Sequence, residues 1–327
     1  MHAYFVVVFF LFGLVFGSFL NVCIYRMPRD LSVVKPRSAC PSCGKQIAFY
    51  DNIPVLSWIV LRGKCRHCKS PISPRYAVVE LLTGVFFVLG YLASAGILPG
   101  YVASTCDLAG RNIVEPIKFC VFVFLLLGLI FTDAETRLLP DMLTKPGIVI
   151  GLLFSLAAPV ECGELCNDRV LPSLANLFSV PGPAYSVINA VAGAVMGSAF
   201  ILGIALLYQA VRGVEGMGRG DVKLMGLIGA FLGMKLTLMV LVLGSLMGSL
   251  FGLLLILWVW RKRLSRRRKK HPGEPRSQAR RRAWRSAILI YRNFEIPFGV
   301  FLGIAGLFSA FWGTALLCQY LRHSGVM

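Results

Sequence analysis

The chain has 327 residues, of which 57% are hydrophobic and only 15% charged, with a mean hydropathy of +0.72. That composition excludes a water-soluble globular fold and puts the chain among integral membrane proteins. The formal charge of +19 is distributed between apolar runs, so it reads as a topology signal, and nucleic acid is not an expected partner.

Apolar runs able to cross roughly 30 Å of hydrocarbon fall near 4–24, 77–98, 114–132, 146–159, 186–210, 222–234, 236–260 and 297–320. The expected fold is therefore an all-α polytopic membrane protein of about eight transmembrane helices, the fourth and sixth short. The predicted units are a first transmembrane helix at 1–24, a cytoplasmic cysteine-rich domain at 25–75 and a transmembrane core at 76–320, with a basic cytoplasmic loop at 261–292 inside the core. Only His2 precedes the first run, whereas Arg26, Arg29, Lys35 and Arg37 follow it, the wrong polarity for a cleaved signal peptide. Further basic residues collect around Arg137 and Lys145, around Arg212, Arg219 and Lys223, and through 261–292. The positive-inside bias then predicts both termini outside and these segments in the cytoplasm.

Residues 25–75 are rich in Pro, Ser and Cys and hold too few apolar side chains to build a core unaided. Cys40-Pro41-Ser42-Cys43 and Cys65-Arg66-His67-Cys68, separated by twenty-one residues, supply the staple. Each C-x-x-C knuckle converges two thiolates on one metal, and two knuckles complete the tetrahedral shell of structural zinc. Free thiols or a redox pair are the competing reading. His67 lies inside the second knuckle but has no place in a shell of four thiolates. Of the ten cysteines, Cys106, Cys162 and Cys166 fall in loops predicted to face the oxidising side. There Cys162 and Cys166 can pair, or Cys106 can pair with one of them. Cys23, Cys120 and Cys318 lie in or beside spans and read as small apolar fillers.

Among the fifteen acidic residues, Glu80, Asp133, Asp141 and Asp221 stand at membrane boundaries, where a carboxylate is a functional hypothesis by default. Asp133 ends the third span and Asp221 begins the sixth, inside Gly216-Met217-Gly218-Arg219-Gly220-Asp221. Both are expected at similar cytoplasmic depth, where they would form an acid/base dyad if their helices are neighbours. The bland alternatives are an ion pair of Asp133 with Arg137 one turn on and an N-cap role for Asp221. Asp141 follows Pro140 and reads as a cap for the next helix with a structural or orienting role. The glycines at 216, 218 and 220 permit close approach of a peptide strand.

In the later spans, Gly193 and Gly197, Gly244, Gly248 and Gly252, and Gly299 and Gly303 recur at four-residue spacing, which allows close helix packing. The run from Arg261 to Lys270 follows a span directly, where each basic residue gains about 1 kcal/mol from anionic lipid. Anionic membrane lipid is therefore an expected partner.

The order of these pieces resembles the type IV prepilin peptidases. The resemblance rests on Gly17-Ser18-Phe19-Leu20-Asn21-Val22 with Tyr25-Arg26 and Pro28, and on the two cysteine knuckles. It continues with Asn52-Ile53-Pro54-Val55-Leu56-Ser57-Trp58, with Arg75-Tyr76 and Glu80-Leu81, with Asp133 through Pro140-Asp141, and with Gly218-Arg219-Gly220-Asp221-Val222-Lys223-Leu224. It implies a multi-pass protein of the bacterial inner membrane. Its aspartic endopeptidase, with Asp133 and Asp221 catalytic, would remove the basic leader of prepilins and type II secretion pseudopilins on the cytoplasmic side. It also implies an N-methyltransferase, dependent on S-adenosylmethionine and associated with the 25–75 domain, that modifies the new N-terminus. Asn21, Arg26 and Glu80 cluster near that domain and are candidate cofactor contacts. Glu80, Glu135, Glu215 and Asp141 are candidate attractors for a basic leader. The segments near 160–185 and 261–292 exceed what the resemblance requires and carry no assigned role. A transporter with intramembrane carboxylates and a regulatory zinc module is the alternative from another class. A zinc-stapled assembly protein without chemistry is a third reading.

Overall fold

The structure, a computed structural model, describes residues 2–98, 114–157, 182–213, 218–270, 275–292 and 297–323. The described elements are helical apart from isolated bridges in the cysteine-rich segment. In chain order they are α1 (His2–Arg26), the short α2 (Leu56–Val60), α3 (Arg75–Ser94), α4 (Val114–Thr136), α5 (Asp141–Ala157) and α6 (Gly182–Arg212). They continue with α7 (Arg219–Lys270), α8 (Arg276–Arg292), α9 (Phe298–Phe308) and α10 (Thr314–His323), the last two joined by a π-helical turn at Ser309–Gly313. Six of these helices, taking α9 to α10 as one, are long and apolar enough to cross a membrane, which fits a multi-pass membrane protein.

α1 and α3 pack tightly where the second half of α1 passes the first half of α3: a Cβ on Gly17 would stand 2.6 Å from Glu80 Cα. The core lies where α4, α7 and α9 meet. Phe122 and Leu126 of α4, Ile228 and Phe231 of α7 and Leu302 of α9 are all buried there, and the Phe122 and Phe231 rings lie 4.9 Å apart. Such mutual burial leaves the outward faces apolar, as lipid requires.

α7 is interrupted at Gly233, whose φ of 75° and ψ of −179° no helix contains. The freed Met234 N–H donates to buried Asn189 Oδ1 at 3.0 Å. Asp221 and Gly248, on opposite sides of this break, both lie against the start of α9, although an unbroken helix would hold them about 40 Å apart at ~1.5 Å per residue. The chain therefore folds back at Gly233. The small-residue spacing serves packing as expected: Gly193 meets Gly229 and Gly233, Gly244 meets Leu302, and Gly303 meets Ile130.

The described residues of the basic segment 261–292 are helical: α7 runs on to Lys270 and α8 packs back against it. Buried Ala279, Ala283 and Ala287 form the seam, with Trp260 edge-on to Trp284. The density of arginine obscured an alanine stripe at helical spacing. Cys318 is not an apolar filler but disulfide-bonded. Cys23 and Cys120 are free thiols beside the core, as expected. Cys106, Cys162 and Cys166, Glu215, and most of 160–185 lie outside the described residues.

Candidate active site

Asp133 sits in the last turn of α4 and Asp221 in the first turn of α7, and both are buried. The two are brought together around Gly299 in the first turn of α9. A Cβ placed on Gly299 would stand 2.8 Å from Asp133 Oδ2 and 3.2 Å from Asp221 Oδ1. The Val300 N–H donates to Asp133 Oδ2 at 3.0 Å. An α-helix has unpaired N–H groups and partial positive charge at its start, so α9 offers Asp133 a partner from another part of the chain. The ion pair and the N-cap weighed from sequence were both local contacts. The observed environment also includes α9, which sequence reasoning registered only as a small-residue packing repeat. Pro297-Phe298-Gly299, a proline stop followed by a bulky residue and a glycine, was the available signal for a helix start.

The glycine segment contributes less directly than expected. Gly216 and Met217 lie outside the described residues, Gly218 faces open space, and Gly220 presses on Leu139, whose Cβ would be 3.0 Å from a Cβ at that position. Leu139 belongs to the link between α4 and α5, so this contact holds the two aspartate-bearing helix ends together.

Three ion pairs bracket the aspartates. Glu135 accepts from Arg75 at the start of α3, and Asp141 at the start of α5 accepts from Lys223 of α7 and from Lys145 at 2.7 Å. Lys145 and Lys223 hold the Asp141 carboxyl below the usual carboxylate range. This agrees with an orienting role for Asp141 at the head of its helix. It leaves none of the described attractor candidates uncommitted, because Glu80 is buried and accepts from the Val55 N–H at 2.7 Å.

In the soluble segment the Sγ atoms of Cys40, Cys43, Cys65 and Cys68 all lie within 4.8 Å of one another, with Cys40 and Cys68 at 3.8 Å. Thiolates at ~2.3 Å from a tetrahedral zinc would be about 3.8 Å apart, so the donor set fits that ion. The knuckles repeat one design. Cys40 N–H donates to Lys45 O and Cys65 N–H to Ser70 O, each at 2.9 Å, and the residue after each second cysteine, Gly44 or Lys69, has positive φ. The amides of Cys43 and Ser42 help draw Cys40 down to about 6, toward the thiolate a metal needs. Asp51 accepts two hydrogen bonds from Arg66 of the second knuckle, at 2.7 and 2.5 Å. His67 is exposed and outside the cluster, as expected.

The three residues predicted near a methyl-donor site separate. Arg26 donates to Ser32 O and Pro36 O, at 2.9 and 2.7 Å, and so fastens the chain leaving α1. Asn21 donates to Tyr76 O at 3.0 Å, but its Oδ1 is buried without a hydrogen-bond partner. Glu80 lies on the same α1/α3 seam, bonded to the Val55 N–H and to the Ser18 hydroxyl.

Two carboxylates around one Cβ-sized space can share a proton, so one can take a proton from water while the other donates to a carbonyl. The sequence comparisons point the same way. Residues 11–94 match the Bacterial Peptidase A24 N-terminal domain and residues 120–253 the Type IV leader peptidase family. The chain is 32% identical to a prepilin leader peptidase/N-methyltransferase of Aeromonas hydrophila, over 96% of this chain and 93% of the relative. It is 30% identical to the protein of that name in Pseudomonas aeruginosa, over 96% and 93%, and 35% identical to the one in Myxococcus xanthus, over 77% and 64%. No solved structure matches the chain. With both family regions matched in order and relatives aligned across nearly its whole length, the chain belongs to the type IV leader peptidase family.

Proposed function

We propose that this chain removes the leader peptide from prepilins and pseudopilins at the cytoplasmic face of the bacterial inner membrane, using Asp133 and Asp221, and then methylates the new N-terminus. The observation that carries the reading is the convergence of both aspartates on Gly299. One carboxylate draws a proton from the attacking water and the other, protonated, polarises the scissile carbonyl; the shared proton belongs to the pair. Val300 N–H fixes Asp133 so that the pair needs little rearrangement at the moment of attack.

The topology consistent with this reading has eight spans. The reversal at Gly233 makes α7 two passes, and the apolar 17-residue α5 supplies a further one. The disulfide of Cys318, near the end of α10, suits an oxidising exterior. The start of α9, which meets the aspartates, then lies on the cytoplasmic side. A prepilin presenting an apolar helix behind a basic leader would meet the dyad at the membrane boundary. The domains follow: residues 25–75 as a zinc-stapled module serving methyl transfer, 76–320 as the peptidase core, and the 261–292 hairpin against anionic lipid. Zinc, where bound by Cys40, Cys43, Cys65 and Cys68, serves as a structural ion.

For methyl transfer, S-adenosylmethionine supplies an electrophilic methyl group. Asn21 suits such a ligand, since its buried Oδ1 can accept from an ammonium group, and Glu80 lies on the same seam. Arg26 spends one Nη1 and one Nη2 donor on backbone carbonyls and keeps further N–H groups for a ligand. The test is binding of radiolabelled S-adenosylmethionine to wild-type protein and to Asn21→Ala, alongside intact masses of a processed prepilin. Binding unchanged in the variant would remove Asn21 from the site.

A further inference from the structure

The apolar residues of the segment between the knuckles do not all go into its small core. Trp58 turns inward, donating from Nε1 to Ile72 O at 3.2 Å and lying against Gly63. Leu56, Ile59 and Val60, one face of α2 at helical spacing, are exposed, and so are Ile53 and Phe49 before them, Phe49 by 88%. Exposed Lys45, Arg62 and Lys64 flank this stripe.

The stripe is also aimed. Leu56 N–H donates to Pro54 O at 2.5 Å around Val55, whose φ of 59° and ψ of −49° form a three-residue γ-turn. That conformation is strained and is an outlier for a β-branched residue. It is held by Glu80, whose Oε2 accepts the Val55 N–H. Strain retained by an outside contact indicates a position the surroundings over-determine. Here the contact comes from α3, a helix long and apolar enough to cross the membrane. On α3, Val78, Leu81 and Val85, beside Glu80, are exposed and apolar, as a lipid-facing surface must be. The turn therefore starts α2 at the level where the outer surface of α3 changes from water to lipid.

We propose that Phe49, Ile53, Leu56, Ile59 and Val60 form a foot that seats the soluble domain in the lipid headgroup and upper acyl region of the bilayer. The occupant is lipid because the stripe begins one hydrogen bond from α3, whose exposed residues there are apolar, and is bordered by lysine and arginine, the arrangement of an interfacial helix on anionic lipid. The foot fixes the height of the cysteine domain above the membrane independently of the peptidase chemistry.

The test places the photoreactive residue p-benzoylphenylalanine singly at Phe49, Ile59 and Val60 of the full chain, reconstituted in vesicles of phosphatidylethanolamine and phosphatidylglycerol. Leu207, exposed on α6, serves as the lipid-facing reference and Lys69, exposed in the second knuckle, as the water-facing one. After illumination, mass spectrometry should find lipid adducts at Phe49, Ile59 and Val60 near the Leu207 yield and on the order of tenfold above Lys69. Yields no higher than at Lys69, with Leu207 labelled, would overturn the proposal. So would adducts at these positions that shift from lipid to protein when a prepilin is added, which would make the stripe a substrate surface.

Discussion

Gly299→Ala tests the geometry of the dyad more finely than removal of a carboxylate. The new methyl would stand 2.8 Å from Asp133 Oδ2 and 3.2 Å from both Asp133 Cγ and Asp221 Oδ1. Ordinary contacts begin near 3.4 Å, so Asp133 must retreat by roughly half an ångström and Asp221 by less, or the head of α9 must withdraw. Misplacing reacting groups by ~1 Å costs on the order of 100-fold. A shift of half that size predicts a loss of about 10- to 100-fold in kcat, equivalent to ~1.4 to 2.7 kcal/mol of barrier. The assay is cleavage of a prepilin by detergent-solubilised protein, with kcat separated from KM and thermal unfolding followed in parallel. Gly303→Ala is the steric control: its methyl would meet Ile130 Cγ1 at 2.4 Å on the same helix, away from the carboxylates. Overpacking there costs about 1 to 3 kcal/mol of stability and should leave kcat in the folded fraction near wild type. If Gly299→Ala cleaved within about twofold of wild type, Gly299 would not sit between groups that do the chemistry.

Asp141→Asn removes the carboxylate charge shared by Lys145 and Lys223. Exposed pairs are worth about 0 to 1 kcal/mol, so unfolding should move little while kcat falls a few-fold; an equal change in both would make the contact merely structural. Glu135→Gln, which weakens the pairing with Arg75, should behave likewise and be rescued in part by Arg75→Gln, as a double-mutant cycle would show. Cys43→Ser should abolish stoichiometric zinc and expose residues 25–75 to protease while the helical core stays folded; retained zinc would contradict the four-thiolate site. Denatured, unreduced protein should leave Cys318 unmodified by maleimide until a reductant is added, and modification beforehand would refute the disulfide.

The knuckles and the two aspartates were legible because their signals are local: cysteine spacing, and carboxylates at the ends of apolar runs. Even the boundary between the sixth and seventh runs, 222–234 and 236–260, was visible around Gly233, where the chain folds back. The partners of the aspartates were not legible. Gly299 and Val300 come from a helix far along the chain, and their contribution is a backbone N–H and the absence of a Cβ, neither of which leaves a chemical signature in sequence. The Arg75–Glu135 and Lys223–Asp141 pairs were missed for the same reason, since pairing across helices depends on packing. The helix pairing within 261–292 was not read from sequence because charge dominates its composition while three buried alanines mark the seam.

The most direct measurement mixes purified protein with a prepilin carrying its leader and reads intact masses, comparing wild type with Asp133→Asn and Asp221→Asn, each verified as folded. The account predicts loss of the leader mass with wild type and none with either variant, because one amide leaves the dyad without its shared proton. Cleavage at wild-type rate by either folded variant would contradict it.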